Sequence, residues 1–158
     1  MGRDPRQRLR DQYRRIAEQL DELFGENRDP IARMATAAAL LQHKLAHFFW
    51  TGFYRLDGGV LLVGPYQGPL ACARLEGPEG VCWACVERDE PVLVPDVNAF
   101  PGHVACDSRS RSELVMPVRR PDGTLAAVLD VDSRRPAAFG PIDVAGLGRI
   151  AESIYAES

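Results

Sequence analysis

Apolar residues return every three or four positions near the start of the chain, at Leu9, Tyr13, Ile16, Leu20 and Leu23. That spacing lays a single stripe along one face and predicts an amphipathic helix over about residues 6–24. The stretch "GENRDP" breaks the period, with Asp29 placed to cap a new helix and Pro30 at its first position. This second helix runs over about 31–46 and carries Ile31, Met34, Leu40, Leu41 and Leu45. The pattern then becomes aromatic and β-rich in "HFFWTGFYRL", turns at "DGG" and returns as "VLLVGPYQG", a hairpin signature. Residues 80–88, "GVCWACVER", form a short helix after a glycine, and "PVLVPDV" a short strand. "SELVMPVRR", "PDG" and "TLAAVLDVDS" spell a second hairpin. A last helix over about 141–156 places Ile142, Leu147, Ile150 and Ile154 on one face. The order helix, helix, strand, strand, helix, strand, strand, strand, helix describes an α+β domain, an antiparallel sheet flanked by N- and C-terminal helices. No repeat or linker divides it. We expect one domain over residues 1–158, with a helical segment to about 46, a sheet and site region over about 47–133, and the closing helix.

Composition narrows the function classes. The net charge of −3 gives no bulk attraction to nucleic acid or anionic membranes. No apolar run approaches the roughly 20 residues of a membrane span. The N-terminus, "MGRDPRQRLRDQYRR", lacks the apolar core of a signal peptide, and Asp4 and Asp11 argue against a transit peptide. Its arginines read as a solvated helix face. We expect a cytoplasmic, reducing setting, in which four cysteines are reactive or metal-binding more often than structural disulfides.

Those cysteines are Cys72, Cys82, Cys85 and Cys106. Cys82 and Cys85 make a C-x-x-C, but structural zinc takes four ligands, usually as two close pairs, and the second pair is missing. Neither a metal nor an organic cofactor is expected. For Cys85 the plain reading is a small buried hydrophobe. Cys106 differs. It sits in "GHVACDSRSRSE", a segment between two apolar stretches that also holds His103, Asp107 and three serines. A reactive thiolate needs donors or positive charge to lower its pKa, and Arg109 and Arg111 are candidates to supply it. In "VLDVDS", Asp130 and Asp132 are two apart on a strand and share a face. The ordinary alternative is a strand end emerging into solvent. The functional one is a pocket that binds an ammonium or shares a proton, since crowded carboxylates push one pKa upward. Glu113 opens the neighbouring strand and can join them. Trp50 and Tyr54, four apart on one strand face, are either core or walls of that pocket.

Together these pieces resemble the free methionine-(R)-sulfoxide reductase family, which is built on a GAF domain. The matching stretches are "DPIARMATAAALL", "WTGFY", "GPYQGPLACARL", "GVC", "PDVNAFPGHVACDS", "SE" and "LDVDS", in family order, covering about residues 12–154. The resemblance implies Cys106 as the nucleophile, Cys72 as its main disulfide partner and Cys82 as an auxiliary thiol. It implies Glu113, Asp130 and Asp132 as the acidic group, and Trp50 and Tyr54 as pocket walls. It further implies free L-methionine (R)-sulfoxide as substrate, thioredoxin as electron donor, and a homodimer with the N-terminal helix as a candidate contact. The chain departs from the family pattern at Phe49, where Asn is common. It departs again at Trp83 and Ala84, where Gly and Thr are usual, and Cys85 is extra. From Trp83 we expect a reshaped lid over the site. The rival classes are a GAF-type sensor of a small ligand and a cysteine-based redox switch without turnover.

Overall fold

Three of the helices open on proline, whose missing N–H costs nothing in a first turn. In the computed structural model, which describes residues 2–157, α1 spans Pro5–Phe24, α2 Pro30–Lys44 and α4 Pro141–Ile154. Asp4 caps α1 by accepting from the Arg6 amide. Asp29 caps α2 by accepting from Ile31 and Ala32, as its place before Pro30 predicts. Asp143 reaches back to accept from the Gly140 amide at 2.9 Å, which closes the start of α4. The short α3, Val81–Arg88, begins after Gly80.

The strands are β1 Trp50–Asp57, β2 Val60–Gln67, β3 Arg74–Leu75, β4 Val92–Val94, β5 Ser112–Arg119 and β6 Leu125–Ser133. They form one antiparallel sheet in the order β3-β2-β1-β6-β5-β4. Both predicted hairpins are present. The two-residue β3 and a 3-10 turn at Val97–Ala99 were not anticipated, being too short to carry a period.

Alternation along the strands divides the apolar residues between two faces. Phe53, Leu114, Met116, Leu129 and Val131 pack against α1, α2 and α4 through Leu20, Met34, Leu41, Leu147 and Ile150. The opposite face carries Trp50, Tyr54, Val115 and Val128, continued by Val92 and Val94 of the edge strand β4, and is covered by α3 and by the turn at Val97. Two expectations about helix faces need correction. Leu23 is 57% exposed, and Phe24 takes the buried place instead, because it lies four residues beyond Leu20 on the inward stripe. Ile31 is 41% exposed, since the first turn of α2 projects past the core. Helices α2 and α4 also stop two residues before their expected ends.

Two buried polar ties lock the helical layer. Arg33, at the start of α2, is buried and donates to the carbonyls of Asn27, Ser153 and Ala156, binding the C-terminus of α4. The Tyr13 hydroxyl donates to Asp143 Oδ1 at 2.6 Å, and His47 Nε2 meets the same oxygen at 2.9 Å. Burial pushes the Asp143 carboxyl up, but its hydrogen bonds from His47, Tyr13 and Gly140 outweigh that and hold it below the usual range. No described helix is long and apolar enough to cross a membrane.

Gly146 lets α4 approach α1. A Cβ there would lie 2.3 Å from Cγ of Tyr13, inside van der Waals contact. Alanine favours a helix interior over glycine by about 1 kcal/mol, yet we expect Gly146→Ala to lose about 1–3 kcal/mol through overpacking. Denaturant unfolding measures this; equal or greater stability would show that the two helices separate freely.

Candidate active site

Register builds the site. Trp50 stands opposite Asp132 across β1 and β6, and Glu113 stands opposite the same Asp132 across β6 and β5. One step along, Gly52, Asp130 and Val115 form a second row. Directly opposed residues of an antiparallel pair point to the same side. Hence Trp50, Asp132, Glu113 and Asp130 project together from the face away from α1, α2 and α4. Tyr54 continues the line along β1.

Gly52 is the space that lets the aromatic wall form. A Cβ there would lie 2.4 Å from Tyr66 Cβ and 2.5 Å from the Trp50 ring. The indole lies over this gap, stacked on Tyr54 and Tyr66 with centroids 5.8 and 5.3 Å apart. Its Nε1 donates to the Pro69 carbonyl at 3.1 Å, and the Tyr54 hydroxyl donates to the Cys72 carbonyl at 3.2 Å. The wall therefore also grips the segment that carries Cys72. The roof is the segment between the 3-10 turn and β5, with His103, Val104, Ala105, Cys106 and Asp107 lining the pocket. The enclosed space is about 50 Å³, room for a few waters.

A disulfide joins Cys72 to Cys106, with Cα atoms 5.4 Å apart, so the structure is that of an oxidised state. Cys82 and Cys85 are free thiols. Cys85 is fully buried, and burial pushes its thiol up to about 12, in keeping with an inert core residue. Cys82 lines the pocket and donates to Asp130 Oδ2 at 3.5 Å; burial and the neighbouring carboxylates push its thiol up strongly. Among the described residues Cys82, Glu113 and Asp130 are close enough to share one ion, but the protonated thiol and acid make this set a hydrogen-bonding cluster first.

Burial decides the carboxylates. Glu113 is pushed well above the usual range by desolvation and by the charges of Asp130 and Asp132. Asp132 is pushed well above by desolvation and by Asp130. Asp130 is raised by desolvation too, with opposing help from Glu113 and Cys82, which act as donors to it. All three acids are thus shifted toward the protonated form, Glu113 and Asp132 more strongly than Asp130. One oxygen of Asp130, Oδ1, is buried without a hydrogen-bond partner and is available to a donor brought in by a ligand. His103 Nε2 lies 3.8 Å from Glu113, its imidazole shifted down by burial toward the neutral form.

Trp50, Tyr54, Cys82, Cys106, Glu113, Asp130 and Asp132 line this pocket together with His103 and Asp107, and Cys72 is bonded to one of them. Two expectations shift. Arg109 is occupied: its guanidinium forks onto Asp107 at 3.0 and 2.8 Å, which holds the Asp107 carboxyl down to about 2. It is not a pocket residue, and neither is Arg111. Trp83 is no lid. Its Nε1 donates to the Leu75 carbonyl at 2.9 Å and its ring packs on Gly77, outside the pocket. A helical side chain in the first turn of α3 was bound to point one way, and only the placement of β3 shows which. Sequence reasoning missed Leu70 and Glu79, pocket-lining residues on irregular segments that no period reveals.

The GAF domain family profile matches residues 8–157. Protein YtsP of Bacillus subtilis is 41% identical over 144 residues, spanning 90% of this chain and 88% of the relative. The free methionine-R-sulfoxide reductase of Escherichia coli is 38% identical, spanning 76% of this chain and 72% of the relative. The crystal structure of free methionine-R-sulfoxide reductase from Neisseria meningitidis, in complex with its substrate, superposes with a TM-score of 0.88 at 36% identity. It covers 98% of this chain and 90% of that one.

The buried acids generate a stability prediction. Glu113 has a raised folded-state pKa, so native protein binds a proton that unfolded chain gives up above about 4.5. Wild-type stability contributed by that proton is full below the unfolded pKa and is lost as pH rises toward the folded one. Glu113→Gln keeps the shape of the neutral acid without this loss. Its unfolding free energy should match wild type in acid and exceed it increasingly above, by up to about 1.4 kcal/mol per pH unit. Denaturant titrations at several pH values check it; a variant less stable than wild type at neutral pH would mean the carboxyl is ionised and paired.

Proposed function

The chain belongs to the GAF domain family, and on that premise we propose that it reduces free L-methionine (R)-sulfoxide to methionine. Support comes from the relatives named as free methionine-R-sulfoxide reductases. The observation that carries the reading is a nucleophile candidate, Cys106, held in one enclosed pocket with protonated carboxyls and already bonded to Cys72.

A sulfoxide sulfur accepts a nucleophile only when its oxygen is protonated or strongly hydrogen-bonded. Reduced Cys106 attacks sulfur as thiolate, and Glu113 or Asp132 gives its proton to the oxygen. The oxygen passes to the cysteine sulfur as the substrate S–O bond breaks, methionine leaves with its own sulfur reduced by two electrons, and Cys106 becomes a sulfenic acid. The Cys72 thiol displaces that hydroxyl as water and forms the disulfide seen here. A dithiol then restores both thiols by exchange, its two electrons completing the balance. We assign that part to thioredoxin, in a cytoplasmic setting and a homodimer with α1 as candidate contact. Cys82 stands by as an auxiliary thiol beside Asp130.

Selectivity for the free amino acid follows from the unpartnered Asp130 oxygen. An α-ammonium satisfies it; a peptide or acetylated nitrogen brings no charge. Trp50 and Tyr54 close the apolar side around the methyl thioether. The (R) configuration places oxygen toward the acids, and the (S) epimer turns it away.

Cys106→Ser should fold with an unchanged circular dichroism spectrum and lose essentially all reduction of free methionine (R)-sulfoxide with dithiothreitol as reductant. Most activity retained would remove Cys106 from the chemistry. Separately, kcat/KM for N-acetyl-methionine (R)-sulfoxide should fall by about 10- to 150-fold, the range for losing a hydrogen bond to a charged group; comparable values for the two compounds would refute the ammonium pocket.

A further inference from the structure

The roof is tied down at few points. From Val104 to Arg109 the backbone groups hydrogen-bond no farther away than the Ser110 amide, which donates to the Asp107 carbonyl at 3.3 Å, among the described residues. Val104 lies over Gly80 but remains 42% exposed. Two stronger side-chain links reach the sheet side. One is the Cys72–Cys106 bond, which must be open whenever Cys106 acts. The other is Arg109, whose Cζ lies 4.9 Å from the centroid of the Phe49 ring.

Phe49 is a fixed platform. Its amide donates to the Asp132 carbonyl at 2.7 Å, and its carbonyl accepts from Gln42 Nε2 at 2.9 Å. Arg134, just past the end of β6, also stacks on the ring, with Cζ 5.4 Å from its centroid. Arg109 meanwhile grips Asp107, the residue after Cys106, by a two-point fork and by its own amide at 2.9 Å. A chain of contacts therefore runs from Asp132 and Trp50, through Phe49 and Arg109, to Asp107 and Cys106. An asparagine at position 49 would offer no aromatic face to either guanidinium.

We propose that Phe49 is a positioning residue whose ring, through Arg109, holds the Cys106 segment over the carboxylates while the Cys72–Cys106 bond is open. The role rests on the reductase reading above, but the latch itself exists without turnover. In the oxidised protein the disulfide does the same work and hides it.

Hydrogen exchange on the full chain, without substrate, separates these states. Phe49→Ala should speed amide exchange across residues 104–110 in dithiothreitol-reduced protein, and much less in the oxidised protein. Arg109→Ala should do the same, and the double variant no more than either single one. Phe49→Tyr, which keeps the face, should restore wild-type exchange. With pre-reduced enzyme, the single-turnover rate of Phe49→Ala should fall about two- to fivefold, as loss of an exposed cation–π contact implies, with KM little changed. Unchanged exchange in the reduced protein, or an equal rise in both redox states, overturns the latch. If wild type itself shows no turnover, the reductase reading fails while the exchange result still decides the latch.

Discussion

Glu113 and Asp132 face each other across two paired strands, with Glu113 and the neighbouring Asp130 buried and Asp132 half-buried. Three carboxyl groups in so small a space cannot all ionise, because desolvation and mutual repulsion act in the same direction. The protons they keep are the feature on which the rest of the site depends. They let the cluster exist inside a folded protein, and in the proposed reaction they supply the proton to the sulfoxide oxygen. Cys82 fits the same logic, since a thiol buried beside Asp130 serves as a donor and not as a thiolate.

The cost of such a cluster is carried by the other face. There the sheet is covered by three helices whose inward-facing apolar residues are buried, with Arg33 and Asp143 satisfying the polar groups trapped between them. The site face has only α3 and irregular segments over it. That division suits the proposed reaction, in which the pocket admits a substrate. Stability resides where nothing needs to move, and loose chain resides where the chemistry is. The oxidised pocket, with its small enclosed volume and its roof stapled by Cys72–Cys106, is the closed end of that range.

Much of this was legible in the residues. Helical period, the capped start at Asp29 and Pro30 and two hairpin turns gave the elements of an α+β domain, because burial on one face imposes periodicity whatever the fold. Period two placed Asp130 and Asp132 on one side of a strand, and the motif around Cys106 marked the reactive segment. Sequence also set the chemical types available: three separated cysteines, three acids and two aromatic residues at strand spacing. Only tertiary structure decided how they combine. Whether Asp130 and Asp132 meet solvent or a sealed pocket depends on the register of β1, β5 and β6 and on what covers that face, which no local pattern encodes. The same holds for Leu23 and Phe24, where one position in the helical turn separates solvent from core. It holds for Trp83, whose ring turns to β3 and Gly77 instead of the site. And it holds for Phe49, one aromatic residue in an aromatic run until the fold brings two arginines, distant in the chain, against its ring.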